Sequence, residues 1–215
     1  MSAVVSPQVP ATHCQHRSRD GGCGGALTEA TAEPHVESCK KGGGVVTIHN
    51  GIRDFLLKFV KDHIDPHAKH EQRLDSIKAG RFEQAPQDAD EADVLDVVWH
   101  EGGRMVAINI AVVHADSCDQ ARRRAAAGRD GVAAERAERA KRSRYAGLAI
   151  TPFVIEAGGR PGAAAQSIVR SLAKQAGVDP AALWQAISVK LHTGQSWQYA
   201  CGACSPAHVV AAGAA

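Results

Sequence analysis

"ADVLDVVWHEGGRMVAINIAVVHA" (residues 92–115) decides the fold. Two runs rich in Val, Ile and Ala flank Glu101-Gly102-Gly103, and such runs around a tight glycine turn read as a β-hairpin. On its N-terminal side, "HNGIRDFLLKFVKDHI" (49–64) sets Ile52, Phe55, Leu56, Phe59, Val60 and His63 on one helical face, with Asn50 as the expected N-cap. "KAGRFEQAPQDAD" (78–90) between the two reads as a polar loop. On the C-terminal side a long helix is expected from about Ser117 to Tyr145, interrupted near Gly128 and Gly131. It leads into "LAITPFVIEA" (148–157), a strand that Pro152 confines to a sheet edge or to its own first residues. Two more helices follow, in "GGRPGAAAQSIVRSLAKQAG" (158–177) and "DPAALWQAISVKLHTGQSWQYACGA" (179–203). Helix, hairpin, helix, strand, helix, helix is the order of an α/β domain with a small mixed sheet flanked by helices.

Composition narrows the possibilities. At 215 residues the chain can hold one domain with a core and a small appendage. Hydrophobic residues make up 44%, but much of that is alanine and only 4% is aromatic, so the core should be thin. The net charge of +2 is too small to argue by itself for a nucleic-acid partner. Its distribution says more: between Arg122 and Arg144 nine Arg or Lys stand against three acids, a basic stripe. No stretch has the ~20 apolar residues that cross a bilayer, so no membrane partner is expected. "MSAVVSPQVPATHCQHRSRD" (1–20) lacks the charged start and apolar block of a secretion signal. The expected location is therefore the nucleus or cytoplasm, where six cysteines read as thiols or metal ligands rather than bridges.

Three constellations could carry chemistry. Cys14, Cys23, His35 and Cys39 lie in a segment with almost no hydrophobic periodicity, with His13, His16 and His49 nearby. Four such ligands can enclose a tetrahedral Zn²⁺ and fold a loop-rich segment around it. The "HVESC" spacing (35–39) suits two ligands on one turn, whereas the eight residues between Cys14 and Cys23 exceed the usual two to four. The segment reads either as a zinc site or as an unstructured tail with incidental Cys and His. The second constellation surrounds the hairpin: Asp93 begins its first strand, Glu71 lies on the helix or loop before it, and Asn109 holds the inward position of "INIAVV". Phosphodiester cleavage with Mg²⁺ needs two or three oxygen ligands, and a lysine often assists. An amide at position 109 contributes no charge. The third is Glu138, Lys141 and Tyr145, which share one face of the basic helix.

Taken in order, "HVESCKKGGGVVTIHNGIRDFLLKF", "ADVLDV", "INIAVVHA", "ERAKRSRYAG" and "TPFVIEAGGRPGAAA" resemble the C-terminal region of certain non-LTR retrotransposon reverse transcriptases. That region carries a Cys-Cys-His-Cys zinc knuckle, a His-Asn-x-x-Arg-Asp helix start and a restriction-enzyme-like endonuclease of the PD-(D/E)-x-K type. The resemblance spans roughly residues 35 to 175. It implies a knuckle at Cys23, His35 and Cys39 with Cys14 displaced by an insertion. It also implies Asp93 as a Mg²⁺ ligand, Glu71 as an early glutamate, Lys141 as a migrated catalytic lysine and Tyr145 as its companion. Asn109 stands where the family has aspartate, and these 215 residues are too few to hold a polymerase beside the nuclease. The resemblance thus implies either an endonuclease-like domain that nicks DNA or a DNA-binding remnant of such an element that no longer cuts. Asn109→Asp, nearly isosteric, is the change expected to return the charge.

The expected organisation is a Cys/His-rich segment over 1–44, a restriction-endonuclease-like domain over 45–176 and a helical extension over 177–215. Arg122, Arg123, Arg124, Arg136, Arg139, Arg142 and Arg144 are the expected contacts to DNA, with element RNA as a further partner. A protein-interaction module built on Trp184 and Trp197 is a third class, supported only by those two aromatics.

Overall fold

The computed structural model describes residues 13–14, 17–18, 21–25, 35, 39, 44–75, 94–114 and 128–203. Asp93 and Arg122, Arg123 and Arg124 lie outside them. By packing, the chain divides into one unit of Met1–Thr47 with His192–Ala215 and another of Ile48–Leu191. The elements, in chain order, are β1 (Arg17–Ser18), β2 (Gly21–Gly22), α1 (Gly44–His63), β3 (Lys69–Arg73), β4 (Val94–Glu101), β5 (Arg104–Val113), α2 (Val132–Arg144), β6 (Ile150–Glu156), α3 (Ala163–Ala176) and α4 (Pro180–Ala203).

In the larger unit four strands form one mixed sheet in the order β3-β4-β5-β6. β4 and β5 are the hairpin of residues 92–115. They pair antiparallel up to Glu101↔Arg104, and both turn glycines have positive φ (Gly102 56°, Gly103 78°), as a two-residue type I′ turn requires. β6 runs parallel to β5, with α2 within the crossover, and Pro152 sits on this edge strand, where a missing N–H is tolerated.

β3 is the strand that sequence reading missed. Its residues, Lys69-His70-Glu71-Gln72-Arg73, have no hydrophobic alternation, so Glu71 was expected on a helix or loop. β3 exists because it can pair with β4. That ladder joins Lys69↔Val98 and His70↔Val97, skips Glu71, and resumes at Gln72↔Leu95. At the skipped position Glu71 adopts a left-handed backbone, φ 50°, which costs a side-chain-bearing residue about 1–2 kcal/mol.

The core lies mainly between the sheet and three helices. Ile52 and Leu56 of α1, Val169 and Leu172 of α3, and Ile187 and Leu191 of α4 pack with Val97, Trp99, Ile108, Phe153 and Ile155. Trp184 stacks on Phe153 with ring centroids 6.2 Å apart, so it belongs to the core, whereas Trp197 is 53% exposed. A smaller cluster gathers Leu74, Leu95, Val98 and Ala107 with Tyr145. α1 begins at Gly44, so Asn50 lies inside the helix rather than capping it, and His63 rests exposed against Phe59 instead of joining the core.

Two carboxylates organise the helix starts. Glu156, at the end of β6, accepts the Ala134 N–H at 3.1 Å and so satisfies a free donor in the first turn of α2. Glu138, in the middle of α2, does the same for Ala164 at the start of α3 (2.9 Å), and its other oxygen takes Arg142. The acid that ends the third predicted strand is thus a remote helix cap.

Asp65, after α1, accepts the backbone N–H groups of His100 (2.8 Å) and His67 (2.9 Å). The His100 bond, ahead of the opposing effect of burial, holds its carboxyl below the usual carboxylate range. The stabilisation is therefore present above the unfolded pKa and is lost as pH falls through the lowered folded value. Asp65→Ala should cost about 2 kcal/mol at neutral pH, because two donors lose an ionised acceptor. Urea melts at neutral and acidic pH should show the gap between variant and wild type narrowing in acid.

Candidate functional site

In the smaller unit, Cys14, Cys23, His35 and Cys39 come together with their ligand atoms all within 4.8 Å of one another. The long Cys14–Cys23 spacing is closed by structure that spacing rules do not anticipate. β1 and β2 pair antiparallel between the two cysteines, and the Cys14 N–H donates to the Gly25 carbonyl at 2.7 Å. Both cysteines are thereby returned to one place. His35 lies on a helical turn, with Cys39 four residues on. Gly25 is required beside them: a Cβ there would stand 2.7 Å from the His35 ring.

The donor set fits a tetrahedral metal. Cys14 Sγ and Cys39 Sγ are 3.8 Å apart, and Cys23 Sγ and His35 Nε2 are 3.3 Å apart. An ion with Zn–S bonds of about 2.3 Å holds two sulfurs about 3.8 Å apart, and a disulfide would hold them at about 2.05 Å. The Cys₃His cluster can therefore bind a metal ion such as zinc.

The second candidate site lies across β3, β4 and β5 of the larger unit. Lys141, half-buried on α2, donates to Asn109 Oδ1, while Asn109 Nδ2 donates to the Val94 carbonyl at 3.0 Å. Asn109 is buried, and both ends of its amide are committed. One step further along the sheet, Asp96 is 6% exposed and accepts the Ile110 N–H at 2.6 Å and His49 Nε2 at 3.0 Å. Glu71, where the β3–β4 ladder skips, is ion-paired to Arg53. His49 and Arg53 are four residues apart on α1, so one helix face supplies both basic partners. This is what the His-Asn-x-x-Arg-Asp run, inside the helix rather than at its start, does here.

The structure thus joins Lys141 to Asn109 and leaves Tyr145 in the core cluster with Leu95, Val98 and Ala107. Asp96 and the partnership of His49 with it were missed from sequence. The available signal was an acid in the middle of the apolar run "VLDVVW" (94–99). His49, grouped by sequence with the Cys/His segment, serves the sheet instead. Burial alone would lower its pKa, but the hydrogen bond and charge of Asp96 outweigh that and leave it raised.

Asp93, the principal ligand expected for Mg²⁺, lies outside the described residues, and the other residues expected around the hairpin, with Asp96, all have partners. Glu71 is held by Arg53, Asp96 by Ile110 and His49, and Asn109 by Lys141 and Val94. Among the described residues the Cys₃His cluster is the one close group of potential ligands. The geometry also alters the expectation for Asn109→Asp. A carboxylate oxygen would replace the amide that donates to Val94 and face its carbonyl across 3.0 Å. We expect Asn109→Asp to cost about 1–3 kcal/mol in thermal or urea melts without added metal, rather than to be neutral. An unchanged melting midpoint would mean that Lys141 compensates fully.

The basic helix presents Arg136, Arg139, Arg142 and Arg144 exposed. Arg142 is paired with Glu138, and Arg139 with Glu135 at 3.5 Å. No protein-family model matches the chain, and no curated protein is significantly similar to it.

Proposed function

We propose that the chain is a DNA-binding domain of restriction-endonuclease type, derived from a non-LTR retrotransposon reverse transcriptase, which holds DNA without cutting it. The observation that carries this reading is the Lys141–Asn109 contact. A lysine on a basic helix reaches the central hairpin where a nuclease of this kind would keep its ligands, and it finds a fully committed amide. The order of motifs and the α/β sheet agree with that origin, and zinc is the ion proposed for the Cys₃His cluster. Element RNA offers the same phosphate chemistry and is a second proposed ligand.

Phosphate contacts release counterions, so binding to duplex DNA should weaken steeply with salt and depend little on sequence. Replacing Arg136, Arg139 and Arg144 by Ala should flatten the log–log salt slope by about 2–3, roughly one unit per lost contact. Arg142 is left in place because it neutralises Glu138. Salt-insensitive binding would make the helix an ordinary solvated face. A supercoiled-plasmid assay with Mg²⁺ or Mn²⁺ tests the rest: no nicking above background is expected, and strong nicking would reinstate the endonuclease reading.

A further inference from the structure

We propose that His49, aimed by Asp96, is a phosphate-contacting residue whose imidazole Nδ1–H binds a non-bridging oxygen of a nucleic-acid phosphodiester. The inference rests on the DNA-binding reading above and assigns a contact outside the arginine helix. Asp96 has both oxygens engaged, one by the Ile110 N–H at 2.6 Å and one by His49 Nε2 at 3.0 Å. A carboxylate is an acceptor only, so the proton on Nε2 is fixed and the ring cannot turn away. That leaves Nδ1 as the nitrogen available to a ligand. Its present partner is Asn50 Oδ1 at 3.3 Å, longer than an ordinary N–H···O bond and from the next residue of the same helix. A phosphate oxygen, charged and able to approach along the ring plane, would displace it.

Accessibility divides the pair in the way a ligand site requires. The Asp96 side chain is 8% exposed and the His49 side chain 29%, so the histidine is the more open member of the pair. Placement gives the second argument. Asp96 is tied to Ile110 and Lys141 to Asn109, so an imidazole and an ammonium are fastened to successive residues of β5. A nucleic-acid strand repeats its charged oxygens and so can meet both cations, which a single small anion need not do. The charged groups around the ring are Asp96 on β4, which favours its protonated form, and Arg53 on its own helix, which opposes it. Arg53 is itself occupied by Glu71 and Asp54.

The bland alternative is that His49 only ties α1 to the sheet. His49→Gln separates the two roles, because the glutamine amide can still donate to Asp96 while lacking a donor at the Nδ1 position. The measurement is fluorescence anisotropy of a short DNA duplex titrated with the full zinc-loaded chain, at low fixed salt. Wild type and His49→Gln are compared at about pH 6 and about pH 8, where an imidazole changes charge. The variant should melt like wild type, bind roughly fivefold more weakly at the lower pH, and differ less at the higher pH. Equal affinity of the two folded proteins at both pH values would overturn the assignment, as would a deficit that ignores pH. If the triple arginine variant loses binding and His49→Gln does not, this inference alone falls. If wild type binds no DNA at all, the DNA-binding reading falls with it.

Discussion

Chelation of the purified chain, or Cys39→Ser, should unfold the Cys/His segment while leaving the four-stranded sheet intact. Among the described residues before Gly44, the buried side chains are Cys14 and Cys39, both members of the candidate metal cluster. If a segment's buried side chains are candidate metal ligands, little besides a bound metal offsets the entropy of ordering its backbone. For small zinc modules the metal-binding free energy, about 10–16 kcal/mol, is also the folding free energy. The larger unit has two apolar clusters of its own, and no residue of the Cys₃His group belongs to either. Protein purified without chelator should carry about one zinc per chain. Amide exchange after stripping should show protection lost around residues 13–39 and kept in β4 and β5. Protein without bound zinc that keeps protection in the Cys/His segment would end this account.

Gly162→Ala should be among the most damaging single methyl additions to the larger unit. A Cβ at Gly162 would overlap the Glu138 carboxylate and lie 2.8 Å from Cδ. Glu138 is 2% exposed and cannot swing into solvent without abandoning the Ala164 N–H and Arg142. Displacing it leaves a buried charge short of partners and the start of α3 uncapped, a loss of about 3–5 kcal/mol. Urea unfolding followed by tryptophan fluorescence would report it, since Trp99 lies in the core and Trp184 packs against it. In a Glu138→Ala background the clash and the cap are already gone, so adding Gly162→Ala should cost little further. Additive losses would show that the glycine matters for a reason other than the carboxylate. Because α2 carries the exposed arginines, the proposed DNA binding should also weaken in Gly162→Ala and not in surface alanine variants of α3.

How much of this was legible in sequence depended on the distance over which the information acts. Helical and strand periodicities, the Gly102-Gly103 turn and the edge position of Pro152 are local, because side-chain spacing and backbone freedom act within a few residues. The α/β class followed from their order, and the Cys₃His ligand set from residue type alone. Tertiary structure decided the rest. β3 has no pattern of its own and is a strand only because β4 offers an edge. Cys14 and Cys23 meet because a short hairpin closes a spacing that would otherwise hold them apart. Glu138 read as possible chemistry, yet it caps a helix that begins elsewhere in the chain, as Glu156 does. His49, adjacent in sequence to the Cys/His segment, finds its carboxylate on β4. Each of these contacts joins residues far apart in the chain, and only the register of the strands and the seating of the helices determine which polar groups must satisfy one another away from water.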